Sequence, residues 1–249
     1  MTEPAHLAAV RESYDTLAAD YLRLVVPPEG MDPVSRAMLA AFAELVRESG
    51  GGQVADLGCG PGRVTAYLDG LGLSAFGVDV SGEMVALARR AYPQLRFLRG
   101  SMAALDVADG ALGGVLAWYS VHHTPPERLP QLFAEFARVL APGGHLLLGG
   151  HAGDARLCPA EAYGHPVSYA AHLVPADRLA GLLEQAGFTV TTRLEQPNPR
   201  HADRSYVCIL ARFEGGAPER VIADHHMVAD SSGTQPERDR RCPAARNPG

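Results

Sequence analysis

The chain has 249 residues, of which 47% are hydrophobic and 20% charged. These proportions are typical of a globular fold and exclude a disordered, collagen-like or coiled-coil chain. The formal net charge of −6 gives no basic field to attract nucleic acid or an acidic membrane. The sequence contains neither an apolar run of about 18 residues, which could span a membrane, nor the apolar core of a signal peptide. We therefore expect a cytoplasmic protein.

Two helical patterns come first, at about residues 7–24 and 33–48. Residues 1–50 are therefore expected to form helices that cap or cover the rest of the molecule. From residue 53 onward, short apolar runs alternate with helical patterns, which predicts a parallel sheet covered on both faces. The predicted strands are 53–57, 75–80, 95–98, 115–120 and 145–149, and the predicted helices are 61–71, about 84–91, and 126–140.

The pattern changes after residue 150. Residues 151–174 show no clear periodicity, so we interpret 151–175 as an insertion with a short helix. A helix follows at 176–186, and the runs at 189–194 and 206–212 predict a closing antiparallel pair. Apolar residues become scarce from residue 214, so residues 214–249 are expected to be a disordered tail.

The strongest motif is a glycine loop with the spacing GxGxG at Gly58, Gly60 and Gly62, between a predicted strand and a helix. Ligands dock at this place in open α/β sheets. Arg63 stands where a GxGxxG dinucleotide loop would have its third glycine. Asp56 just before the loop would repel a pyrophosphate but suits a ligand that carries an ammonium group.

The second predicted strand ends at Asp79, where an acidic side chain can accept hydrogen bonds from both ribose hydroxyls. The expected ligand therefore has an amino-acid part, a ribose and a base, which describes S-adenosylmethionine better than NAD.

Residues 10–213 resemble class I S-adenosylmethionine-dependent methyltransferases of the small-molecule type. The resemblance lies in VADLGCGPGR (54–63), GVDVSGEMVALAR (77–89), LRFLRGSMAAL (95–105), WYSVHHTPPERLP (118–130), FARVLAPGGHLLL (136–148) and AGFTV (186–190). It implies a Rossmann-like, seven-stranded, mostly parallel sheet with helices on both faces and an antiparallel C-terminal strand. Residues 51–213 would be the methyltransferase core, and S-adenosylhomocysteine the product.

The same resemblance implies which side chains hold the cofactor. The glycine loop would wrap the methionine part and Asp79 the ribose, while Ser101 stands where many relatives have the Asp that reads the adenine amino group. Tyr14 and Tyr21 lie in a segment that folds over the cofactor in the family. The full expected set is Tyr14, Tyr21, Asp56, Gly58, Cys59, Gly60, Gly62, Asp79, Val80, Met84, Ser101, Met102 and Tyr119.

Methyl transfer to a hydroxyl or carbon acceptor usually also needs a base. The candidates are His123, which we favour, His122 beside it, and His151 after the fifth strand. The insertion contributes Tyr163, His165, Tyr169 and His172 as candidate substrate-binding residues. The acceptor is expected to be a small molecule, with an aromatic natural product as the working hypothesis. Whether oxygen, nitrogen or carbon is methylated stays open, as does the oligomeric state.

Other functions fit the residues less well. An NAD(P)-dependent oxidoreductase would need GxGxxG and gives Asp56 no role. A nucleic-acid methyltransferase would carry an Asn/Asp-Pro-Pro-aromatic motif, where this chain has residues 119–122 as Tyr-Ser-Val-His. We predict no metal site, because the adjacent histidine pairs at 122–123 and 225–226 cannot easily chelate one ion. A non-catalytic cofactor-binding partner of the same fold stays open.

Overall fold

The computed structural model describes residues 3–199, 201 and 203–215. In this part of the chain, none of the helices combines the length and the apolar character needed to cross a bilayer. Most of the expected tail (214–249) lies outside the described residues. The α-helices of the described ranges are α1 Ala5–Leu24, α2 Pro33–Glu48, α3 Arg63–Gly70, α4 Gly82–Ala91, α5 Leu129–Val139 and α6 Ala176–Gln185.

Local chemistry sets the start of α2. Pro33 occupies the first helical position, where its missing N–H has no partner to lose. The Asp32 side chain caps the helix, because its Oδ1 accepts hydrogen bonds from the backbone N–H groups of Val34 and Ser35 at 3.0 Å each.

The strands are β1 Gln53–Leu57, β2 Ser74–Asp79, β3 Arg96–Arg99, β4 Leu112–Trp118, β5 Leu140–Gly153, β6 Ala155–Leu157, β7 Glu161–Ala162, β8 His165–Pro166, β9 Ala171–Leu173, β10 Phe188–Pro197 and β11 Arg204–Phe213. Seven of them form one sheet in the order β10-β11-β5-β4-β1-β2-β3. The strands from β1 to β5 in this sheet run parallel, while β11 lies antiparallel to β5 and to β10. The predicted Rossmann-like sheet is therefore confirmed.

Alternate residues of the central strands face two different apolar layers. On one side Phe133 and Phe136 of α5 pack with Leu183 of α6. On the other side Phe42 of α2 packs with Leu68 of α3. Since both faces of the sheet are covered, its strands are apolar almost throughout, as parallel sheets require.

The prediction of a short helix in the insertion is wrong. In this segment β6 pairs with β9, and β7 pairs with β8, both antiparallel. Tyr163 and Gly164, with φ of 53° and 82°, form the two-residue connection between β7 and β8. Left-handed backbone at both central positions is what a tight hairpin turn needs, and a helix cannot pass through it.

Helix α1 lies over the carboxyl end of the sheet. Its Leu17 and Ala18 pack against Met84 of α4. Asp15 Oδ1 accepts hydrogen bonds from Ser81 Oγ at 2.6 Å and from the Glu83 N–H at 3.2 Å. The helix therefore docks by apolar contact and by capping the start of α4.

Candidate functional site

The glycine loop joins β1 to α3, and two of its glycines cannot be replaced without a clash. Gly58 has φ of 78° and Gly62 has φ of 81°. A Cβ on Gly58 would lie 2.4 Å from the Cβ of Ser120, and one on Gly62 would lie 2.7 Å from the Phe97 ring. Both backbone conformation and space therefore require glycine at these positions.

The loop uses its own N–H groups internally. Gly58 and Cys59 donate to the Val78 carbonyl at 2.8 and 3.1 Å, and Gly62 donates to the Cys59 carbonyl at 3.0 Å. Gly60 donates to Asp79 Oδ2 at 2.8 Å. All four of these N–H groups are therefore occupied within the protein. The loop is thus shaped for close approach by a ligand rather than for cradling a phosphate.

Asp79, at the end of β2, faces the loop. Its Oδ2 accepts the Gly60 N–H and its Oδ1 accepts the Ser81 N–H, each at 2.8 Å. Each carboxylate oxygen offers about two acceptor sites, so each keeps one for a ligand hydroxyl. Burial raises the pKa of this carboxyl above its usual value.

Asp56, in β1, is 1% exposed. Its Oδ2 accepts a hydrogen bond from Thr65 Oγ1 at 2.6 Å. Burial raises the pKa of this carboxyl to about 7, and the nearby charge of Asp79 adds to the rise. A cationic ligand group would favour the ionised form of Asp56 by direct attraction.

Two cavities of about 510 and 870 Å³ open at this edge of the sheet. Asp79, Ser101 and Met102 line the smaller, and Asp56, His151 and Tyr206 line the larger. Six residues line both cavities and form what we call the passage: Tyr14, Tyr21, Gly58, Gly60, Trp118 and Tyr119.

The predicted cofactor residues nearly all lie on these walls. Val80 and Met84 join the smaller cavity, and Cys59 joins the larger. Gly62 lines neither and instead stands at the start of α3. The Ser101 hydroxyl oxygen accepts a hydrogen bond from the Ala103 N–H at 3.2 Å.

The three histidines proposed as bases occupy different places. His123 lines the smaller cavity, whereas His122 and His151 line the larger. Burial lowers the pKa of all three, in the case of His123 to about 4, so the rings are neutral at pH 7. Among the described residues, His151 Nδ1 is a buried atom with no hydrogen-bond partner.

Both ring nitrogens of His123 are engaged. Nε2 lies 2.9 Å from the Tyr14 hydroxyl, and Nδ1 lies 3.4 Å from the Ala170 carbonyl. The Tyr14 ring also stacks on Tyr169, with 5.7 Å between centroids and 16° between planes. A direct approach of substrate to either nitrogen of His123 is therefore blocked in this arrangement.

The four insertion residues divide into two pairs. Tyr163 and Tyr169 line the larger cavity. His165 lies outside both large cavities and its Nε2 is 2.7 Å from Asp20 Oδ2, which ties the insertion to α1. His172 lines only a cavity of about 20 Å³.

The sequence alone missed several residues of the site. Tyr206 of β11 lies opposite His151 of β5 in the sheet register, and their ring centroids are 5.1 Å apart. Ser120, just after β4, is 6% exposed, and its hydroxyl has no partner among the described residues. For Tyr119, which the sequence did indicate, it missed the φ of 54°, a strained backbone of the kind that clusters at functional sites. Only strand register could have placed Tyr206.

Comparison with known proteins identifies relatives of this chain. The family described as "Methyltransferase domain" matches residues 54–144. An uncharacterized methyltransferase of Mycobacterium tuberculosis is 37% identical over 131 residues, which are 53% of this chain and 48% of that protein. One of Synechocystis is 30% identical over 154 residues, 58% of this chain and 70% of that protein. The chain thus spans about half the length of the first of these relatives.

Among solved structures, the 1,6-didemethyltoxoflavin-N1-methyltransferase of Burkholderia thailandensis superposes with a TM-score of 0.62 at 24% identity, over 86% of this chain and 94% of that one. It was crystallised with 1,6-didemethyltoxoflavin and S-adenosylhomocysteine. Fold and site together define a Rossmann-like protein with a nucleoside-type pocket. The chain belongs to the methyltransferase family, with the fold of its class I S-adenosylmethionine-dependent members.

Proposed function

We propose that this protein transfers a methyl group from S-adenosylmethionine to a small-molecule acceptor held in the larger cavity. The observation that carries the proposal is the passage, since it joins a cavity built around Asp79 to one built of aromatic rings. A donor in the first and an acceptor in the second would meet there, and alignment of this kind can lower a barrier by about 7–11 kcal/mol.

The residues present fit the cofactor. Asp79 offers two free acceptor sites to ribose hydroxyls. Buried Asp56, on the wall of the larger cavity, suits a cationic amino group that reaches through the passage. The Ser120 hydroxyl, which has no partner in the described part of the chain, lies against the position that a Cβ of Gly58 would fill, so it can bond to the methionine part. When bound, S-adenosylmethionine supplies a methyl group on a positively charged sulfur, already activated for displacement.

The same geometry disfavours NAD. A pyrophosphate needs free N–H groups at the loop, whereas those of Gly58, Cys59, Gly60 and Gly62 are engaged within the protein. Asp56 would also repel its two negative charges. These observations favour the methyl donor over a nicotinamide cofactor.

The larger cavity suits a neutral aromatic acceptor. Tyr119, Tyr163, Tyr169 and Tyr206 line it, and stacking on such rings selects flat molecules. Arg63 is the one cation among its described lining residues. The Arg63 guanidinium donates to the carbonyls of Leu22 and Val25, at 2.6 Å each. With its cation engaged, the cavity offers little to an anionic acceptor such as a nucleic acid.

His151 is the best-placed base for a hydroxyl acceptor. Its ring lines the acceptor cavity, and because Nδ1 is buried, Nε2 is the nitrogen that a hydroxyl in the cavity could reach. His122 lines the same cavity but is more deeply buried, which lowers its pKa further. His123, our favoured candidate from the sequence, could move a proton only through Tyr14.

Calorimetric titration of the full chain tests the cofactor assignment, with S-adenosylhomocysteine and NADH in parallel. We expect micromolar binding of the first and no heat from the second; the reverse result would exclude the proposal. An acceptor screen with methyl-labelled S-adenosylmethionine follows, using pairs of phenols that differ by one carboxylate. The neutral member of each pair should be methylated faster, and no methyl transfer to any acceptor would favour a non-catalytic cofactor-binding partner.

A further inference from the structure

The contacts of His123 determine which residue donates the hydrogen bond between Tyr14 and His123. A carbonyl oxygen can only accept, so His123 Nδ1 must carry its hydrogen toward the Ala170 carbonyl, 3.4 Å away. In a neutral ring the other nitrogen is then a bare acceptor. The Tyr14 hydroxyl, 2.9 Å from Nε2, must therefore donate to it.

This direction leaves the Tyr14 oxygen with only lone pairs to offer a ligand. Tyr14 lines both cavities, and its hydroxyl meets His123 on the wall of the smaller one, so the residue borders the space where donor and acceptor would meet. The ring is fixed by stacking on Tyr169 and by edge contacts with Tyr21 and His123. An oxygen that is held as an acceptor attracts positive charge and gives nothing to a neutral thioether.

We propose that Tyr14 Oη, held as an acceptor by His123, makes the passage selective for a cationic group, the sulfonium of the methyl donor, over the neutral thioether of the product. In this arrangement Tyr14 is a binding residue that distinguishes charge, and His123 is a positioning residue that acts through it. The inference rests on the proposed function, because it assumes that S-adenosylmethionine binds here. Selectivity of this kind would help the product to leave after transfer.

The test compares the two ligands rather than activity. The dissociation constants of S-adenosylmethionine and S-adenosylhomocysteine are measured by calorimetry on the full chain, unaltered and as Tyr14→Phe, His123→Phe and the double variant. Tyr14→Phe keeps the stacked ring and removes only the oxygen. Tyr92→Phe, the same change at a residue that lines neither large cavity, is the matched control.

We expect each single variant to lose about two- to tenfold of the preference for the charged ligand, the range that one net hydrogen bond supports. The double variant should lose no more than either single one, since both remove the same contact. Tyr92→Phe should keep the preference. In ¹⁵N spectra of the unaltered protein, His123 should show a protonated Nδ1 and a bare Nε2.

Three results would overturn the inference while leaving the proposed function intact. The variants could lose affinity for both ligands equally, they could keep the preference for the charged ligand, or the unaltered protein could show the opposite tautomer of His123. Failure of the unaltered protein to bind either ligand would instead contradict the proposed function, and this inference with it. Thermal melts of each variant separate a folding defect from a change in selectivity.

Discussion

Burial makes Asp56 a residue where binding and stability oppose each other. Its pKa is raised to about 7 in the folded protein, whereas an unfolded Asp titrates near about 3.9. Between these values the folded state binds more protons than the unfolded state, so the free energy of unfolding falls as pH rises from about 4 to 7. Ligand-free protein therefore carries an unfavourable buried charge at neutral pH.

Replacing Asp56 by Asn should remove that charge while the amide oxygen still accepts the bond from Thr65. We expect the free energy of unfolding of the variant to exceed that of the unaltered protein by more at pH 8 than at pH 5. The difference between the two gains should be on the order of 1 kcal/mol or more. That gain raises the melting temperature by about 2–4 °C per kcal/mol in a chain of this size. Scanning calorimetry at both pH values measures it, and a larger gain at pH 5 would contradict the assignment. Affinity for S-adenosylmethionine should fall.

Asp79 should act on ribose through charge-assisted hydrogen bonds, each worth about 1.5–3 kcal/mol. Asp79→Asn keeps an acceptor for one of the two backbone N–H groups and loses the charge. We expect Asp79→Asn to lower the affinity for S-adenosylhomocysteine by about tenfold or more, and Asp79→Ala to lower this affinity further. Calorimetric titration measures both. The 2′-deoxy ligand should bind both variants almost as well as the ribose form, and a full ribose preference in Asp79→Ala would point to another partner.

The role proposed for His151 also has a definite signature. His151→Asn should slow turnover of a hydroxyl acceptor by about 10²–10⁴-fold and leave the affinity for S-adenosylhomocysteine unchanged. Because its pKa is lowered from 6.5 by burial and by Arg204, kcat/KM should fall only below that pH. An acid limb above pH 6.5, or normal turnover in the variant, would remove His151 from this role.

At the scale of elements, α1 is joined to the cofactor edge by a few polar contacts. Asp15 caps α4 through Ser81 and Glu83, and Arg63 holds the carbonyls of Leu22 and Val25. These contacts connect the α1 region to α4, which follows Asp79, and to α3, which follows the glycine loop.

Asp15→Ala should therefore loosen α1, since a lost cap costs about 0.5–2 kcal/mol. We expect faster amide hydrogen exchange in α1 and in the first turn of α4, measured by mass spectrometry. Glu12→Ala is the matched control, because it removes an acidic side chain of α1 that, among the residues the structure describes, pairs with Arg11 alone. Equal exchange in the two variants would show that apolar packing alone holds the helix.

Periodicity predicted the order and type of nearly all these elements, because amphipathic spacing is a local property. It failed in the insertion, where strands of two or three residues are too short to show a period. The left-handed backbone of Tyr163 likewise follows from the hairpin that β7 and β8 form. A tyrosine at this position does not predict it.

At the scale of the whole molecule, ligand binding should appear as stability. A ligand at about 100 times its dissociation constant stabilises by about 2.7 kcal/mol, which corresponds to about 5–11 °C in melting temperature. We expect S-adenosylhomocysteine to produce this rise in differential scanning calorimetry. NADH at the same concentration should produce none, and a rise with NADH alone would reverse the cofactor assignment.

The sequence by itself determined the sheet, the glycine loop and the acidic end of β2, since turn chemistry and apolar period act over a few neighbouring residues. Most of the site residues that it indicated also line the two cavities. Only the tertiary structure decided that the loop N–H groups are used internally, that Tyr14 lies within hydrogen-bond distance of His123, and that Tyr206 faces His151. Those contacts join residues separated by many positions in the chain, and their geometry depends on strand register and helix docking, which no local pattern encodes.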